Sequence, residues 1–166
     1  MRRRLFVLVA VAIAMIFAVA LPASAAGATV VRGVQTPVAS GPCFDANAEF
    51  STTMDGGLIG CWWIDTFVVT GEHPSGSATF SGTEHFTGCV DTALDGNCDG
   101  DDPAGTFSTT FTFTAKFDAD GNEIHGRCNH PIVSGTGGFT GITGVVNFTD
   151  DVSTGLSPYI GNVRLS

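Results

Sequence analysis

Residues 130–144 read H-P-I-V-S-G-T-G-G-F-T-G-I-T-G and carry Gly135, Gly137, Gly138, Gly141 and Gly144. The stretches on either side, residues 123–133 and 142–148, read as strands. Glycine at this density marks backbone that needs positive φ or the close approach of another strand. A sheet closing tightly on itself meets both needs. The run predicts strand, tight connection, strand.

The same pattern continues toward the N-terminus. Phe107, Phe111, Phe113, Ala115 and Phe117 share one parity, with Ser108, Thr110, Thr112, Thr114 and Lys116 on the other. Ala78, Phe80, Gly82 and Phe86 share a face, and Trp63, Phe67 and Val69 share another. Phe44, Ala46, Ala48 and Phe50 alternate with polar residues, while Ile142, Val146 and Phe148, then Tyr159, Val163 and Leu165, complete the series. Turn residues separate the runs, at Asp55-Gly56-Gly57, His73-Pro74-Ser75-Gly76 and Asp120-Gly121. With residues 29–35 the count reaches about eight strands, each with one apolar and one polar face. The expected fold is all-β: a single antiparallel eight-stranded barrel, with an open sandwich as the alternative. A barrel of this size is filled by side chains or holds one small ligand.

Residues 1–25 carry Arg2, Arg3 and Arg4, an apolar run over residues 5–21, and Ala23-Ser24-Ala25. This is the layout of a secretory signal peptide, with a membrane anchor as the alternative. Cleavage would leave residues 26–166 as one domain, secreted to the bacterial exterior. That domain carries Arg32, Lys116, Arg127 and Arg164 against 16 acidic side chains, a formal charge of −12. Such a charge opposes binding to nucleic acid or anionic membranes. No second apolar stretch approaches bilayer length.

Export makes disulfides the expected state of Cys43, Cys61, Cys89, Cys98 and Cys128. Cys89 and Cys98 flank a turn-rich loop and form the first expected pair. Cys61 and Cys128 both fall on apolar faces and form the second, leaving Cys43 over.

Three polar residues break the apolar faces. Glu84 has the parity of Phe80 and Phe86, Asp65 that of Trp63 and Phe67, and His130 that of Ile124, Cys128 and Ile132. An unpaired carboxylate in such a place is costly, and groups of this kind collect at functional sites. Glu84, Asp65 and His130 are the candidate acid–base residues, with Trp63, Phe67, Phe80, Phe86, Phe111 and Phe113 as cavity wall. The alternative is a satisfied position at the barrel mouth. Asp95, Asn97 and Asp99, with Asp101 and Gly100, match the first half of a calcium loop, but the twelfth position is Thr106. Calcium is a candidate cofactor there, and a polar loop pinned by the Cys89–Cys98 bridge is the alternative. The four histidines lack zinc-site spacing.

The run G-T-G-G-F-T-G-I-T-G over residues 135–144, with Tyr159-Ile160-Gly161-Asn162 beyond the next strand, resembles the allene oxide cyclase and dirigent superfamily. There a G-T-G-x-F-x-G-x-x-G signature precedes one of the last barrel strands. With Gly126-Arg127-Cys128-Asn129-His130-Pro131-Ile132, the chain looks most like the small secreted bacterial members. The resemblance implies an eight-stranded antiparallel barrel, often a homo-oligomer, with an apolar cavity that steers a reactive intermediate. The plant families' catalytic residues match no positions here, and the disulfide loop departs from them. The expected function is binding a small hydrophobic compound and steering its cyclisation or isomerisation. The alternative is a non-catalytic extracellular module stabilised by calcium.

Overall fold

The computed structural model describes residues 27–166, so the proposed signal peptide lies outside the described residues. Eight strands follow one another: β1 (Thr29–Pro37), β2 (Phe50–Gly56), β3 (Leu58–His73), β4 (Ser77–Val90), β5 (Ala104–Phe117), β6 (Glu123–Gly137), β7 (Thr143–Asp150) and β8 (Ser157–Arg164). Each pairs antiparallel with its sequence neighbours, and β1 pairs with β8 to close the barrel. Closure leaves no free sheet edge among the described residues. The three expected turns fall between β2 and β3, β3 and β4, and β5 and β6.

The strands are unequal. β3 to β6 run 14–16 residues and the other four only 7–9. One end of the barrel is packed solid. Leu58, Phe86, Val90, Phe107, Phe139 and Val163 are each buried there, with Trp62 one layer deeper. Each such side chain contributes roughly 1.5–3 kcal/mol through burial.

The glycine run builds this packed end. The turn between β6 and β7 folds Phe139 inward against Phe86 and Phe107, with ring centroids 6.2 and 5.4 Å away. A methyl group on Gly135 would overlap the Phe139 carbonyl, and one on Gly138 would strike the Ala104 backbone. Gly137 and Gly141 take φ of 64° and 75°, which side chains disfavour. The run is therefore a connection shaped to carry a plug. At the same end the Tyr159 hydroxyl accepts from the Leu58 N–H at 2.8 Å and lies 3.1 Å from the Asp55 carbonyl.

Four sequence expectations need correction. β2 begins at Phe50, so residues 44–49 form a loop, and Phe44 is exposed. β3 changes register between Ile64 and Thr66. Before that bulge Trp62 and Ile64 point inward, and after it Phe67 does. Trp63, Asp65 and Cys61 therefore face outward or sit in the bulge, because an extra residue reverses the alternation. Cys61 cannot reach the inward Cys128 and instead pairs with Cys43, with Cα atoms 5.1 Å apart. The Cys89–Cys98 bridge forms as expected, and Cys128 is the free thiol. A shift near Phe117 similarly puts Ile124 outside and Glu123 inside.

Phe139→Ala should destabilise the barrel by about 3–5 kcal/mol in chemical denaturation, the usual cost of emptying a buried aromatic site. Alkylation under denaturing, non-reducing conditions, followed by peptide mapping, should label Cys128 alone; labelled Cys43 would overturn the pairing.

Candidate functional site

Opposite the plugged end, the interior opens into a cavity of about 480 Å³. Ile64, Phe67, Phe111, Phe113, Cys128 and Phe148 form its walls. Phe80 stacks behind Phe67 and Phe113, at 4.8 and 5.7 Å. Gly82 lies on the inner face, where a methyl group would strike Phe111 and the Thr66 carbonyl. Of the aromatics expected in the wall, Phe67, Phe111 and Phe113 line the cavity. Phe86 belongs to the packed end, and Trp63 lies outside.

At the cavity floor β4 supplies Glu84, β5 Thr109 and β6 His130, all buried. Thr109 Oγ1 donates to Glu84 Oε2 at 2.9 Å, and His130 Nε2 lies 3.2 Å from the same oxygen. His130 Nδ1 faces the Val146 carbonyl at 3.2 Å. A carbonyl only accepts, so Nδ1 carries a proton. One further proton must then lie between Nε2 and Oε2, as a charged pair or as a neutral acid and imidazole. The His130 ring is held edge-on by Trp62 and Phe148, at 5.5 and 4.6 Å. Among the described residues both contacts of Glu84 fall on Oε2. Oε1 is left without a protein partner, in a side chain that lines the cavity.

A second acidic pair stands nearer the mouth. Glu123 on β6 and Asp150 on β7 converge above Gly126, where a methyl group would overlap Glu123 Oε1 and Asp150 Oδ2. Ser157 Oγ donates to Asp150 Oδ1 at 2.6 Å. Glu123 Oε1 is enclosed with no hydrogen-bond donor, although the residue as a whole is half-buried. Burial, and then the neighbouring Asp150 charge, push the Glu123 carboxyl up to about 7. A proton held between the two carboxyls satisfies the orphaned oxygen. In the wall between the two polar groups, burial pushes the Cys128 thiol far up, reinforced by Glu84 and Asp150. It is therefore no nucleophile at neutral pH.

The third expected acid–base residue lies elsewhere. Asp65 meets His85 on the outer wall, where His85 Nδ1 donates to both carboxylate oxygens at 2.8 and 2.9 Å. Trp63 stacks on that imidazole at 4.7 Å. The acidic loop also differs from a calcium shell. Asp95 Oδ1 accepts from the Asn97 N–H, and Asp91 and Asp102 cap neighbouring backbone N–H groups. Among the described residues no three acidic, histidine or cysteine groups, those at Asp95, Asp99 and Asp101 included, are placed to hold one metal ion.

The sequence reading missed Thr109, Glu123, Asp150 and Ser157. Thr109 carried a signal, because it shares the parity of Phe107 and Phe111. Glu123 carried none, since the register shift near Phe117 hides its direction.

Compared with known proteins, the chain matches no family model and no curated protein.

The Glu123 carboxyl binds its proton more tightly folded than unfolded, where about 4.5 is expected. Folding stability should therefore fall as pH rises from about 4.5 to 7. In Glu123→Gln that decline should shrink, leaving the variant more stable than wild type above pH 7 by about 1 kcal/mol after solvent screening. Thermal denaturation across this range reads the difference, and parallel curves would remove the acidic pair.

Proposed function

We propose that this protein is a secreted binder of a small apolar compound, and that it moves a proton on that compound to isomerise or cyclise it. The observation that carries the reading is the aromatic-walled cavity with Glu84 Oε1 unpartnered at its floor. Sites of this volume, mostly apolar with a few converging polar groups, suit small organic ligands. Secretion is supported by the composition of residues 1–25 and by two disulfides. The glycine signature and the barrel agree with an allene oxide cyclase-like scaffold. The outward faces of β4 and β5 are rich in threonine and serine, unlike the apolar band of a membrane barrel.

The chemistry follows from the hydrogen bonds. Thr109 and His130 hold Glu84 by one oxygen and orient the other toward the ligand. Oε1 takes a proton from one ligand atom and returns it at another, so atoms balance without a co-reactant. Rigid aromatic walls hold the ligand in one conformer, which lowers the entropic part of the barrier. His130 stabilises the carboxylate before transfer, and its Val146 contact fixes the ring. A binding-only protein would keep the cavity and lose the proton transfer.

Native mass spectrometry of protein purified from its own source should reveal a retained apolar ligand, and the neutral dye N-phenyl-1-naphthylamine should compete with it. In heavy water wild type should exchange an acidic C–H of that ligand. Glu84→Gln should slow the exchange by about 100-fold or more, the scale of general base catalysis, with dye affinity unchanged. Equal exchange by the two proteins would sink the catalytic half; no dye binding would sink the cavity.

A further inference from the structure

We propose that the ligand of this cavity is an apolar molecule bearing a cationic head, with the head seated against the Glu123–Asp150 pair. This rests on the reading of the cavity as a small-molecule site and names the class it takes. Glu49, Glu84, Glu123, Asp150 and Asp151 all line the cavity, and among the described residues no lysine or arginine does. An anionic ligand would enter a field of its own sign.

The pair itself asks for a donor. Glu123 Oε1 is enclosed and unpartnered, and Asp150 Oδ2 faces it across Gly126. Ser157 already occupies Asp150 Oδ1. Asp151 is engaged in its own turn, where Ser153 donates to it through both N–H and hydroxyl. The donor missing at the mouth can be a shared proton or an N–H of the ligand, and an ammonium supplies several charge-assisted hydrogen bonds at once.

Independent support comes from the floor. The Glu84 side chain is only 3% exposed, yet its Oε1 is unpartnered and reaches the same cavity. Along β6, His130 and Gly126 are four residues apart, roughly 13 Å on an extended strand. Phe111, Phe113 and Phe148 lie in the wall between, so a ligand meets carboxylate, aromatic wall and carboxylate in turn. A cation beside those rings gains from their faces as well.

Three probes with one skeleton test the assignment by calorimetry on the disulfide-intact protein: 4-phenylbutylammonium, 4-phenylbutan-1-ol and 4-phenylbutanoate. The ammonium should bind at least tenfold more tightly than the alcohol, and the carboxylate most weakly. Glu123→Gln combined with Asp150→Asn should bring the ammonium down to the alcohol's affinity and leave the alcohol within about twofold. Should that variant not fold, the wild-type ammonium-to-alcohol ratio at 20 and 500 mM salt decides. An enclosed pair keeps a tenfold preference, whereas a diffuse acidic surface loses it and overturns the proposal. Equal binding of ammonium and alcohol overturns the cationic head and leaves the apolar cavity standing. Failure of all three probes to bind overturns both.

Discussion

Tyr159 on β8 reaches across Gly33 on β1 to the turn between β2 and β3, and this crossing supports the closure on which the interior depends. Its hydroxyl accepts from the Leu58 N–H and faces the Asp55 carbonyl. A methyl group on Gly33 would lie 2.6 Å from that hydroxyl, so the bare backbone is what lets the contact form. Burial pushes the phenol's pKa up, keeping it a neutral donor. The neighbouring ladder, from Thr29–Val163 to Gln35–Ser157, turns a meander into a barrel. Once closed, every strand has a defined inside, and a polar residue placed there cannot rotate away.

That constraint explains what could be read from residues alone. Glu84 and His130 interrupt apolar runs, and the pairings β4–β5 and β6–β7 that hold them carry no register shift, so alternation placed both inward. The same arithmetic failed on β3, because parity was carried from Phe67 back to Trp63 across the Ile64–Thr66 bulge. Adjacent tryptophans gave no warning, since either suits an apolar face. The bulge also decided the disulfide, turning Cys61 toward Cys43 on the outside. Where register shifts, alternation loses its phase. The glycine run predicted a tight closure, and it does more than close: it lets Phe139 into the lumen.

The cavity is unusual in its electrostatics. A buried carboxylate is costly unless paired and hydrogen-bonded. At the floor that cost is offset by Thr109 and His130. At the mouth Ser157 satisfies one Asp150 oxygen, and a shared proton offsets the rest, which leaves a repulsive pair once that proton departs. Sites that sacrifice stability in this way are where function is expected, because a bound partner can relieve the strain. The plugged half supplies the packing that carries the deficit.

Closure joins the first strand to the last, and this orders events in time. β1 has only β2 and β8 as neighbours, so until β8 is in place both β1 and β7 present unpaired backbone to other chains. Contacts of such long sequence separation form slowly. During that interval Phe107, Phe111 and Phe113 lie on the open apolar face of a sheet whose edges, β1 and β7, are unpaired. The strong excess of negative charge then has a role before the native state exists, since like-charged, half-built barrels repel one another. On this view acidity belongs to the assembly of the protein as much as to its site.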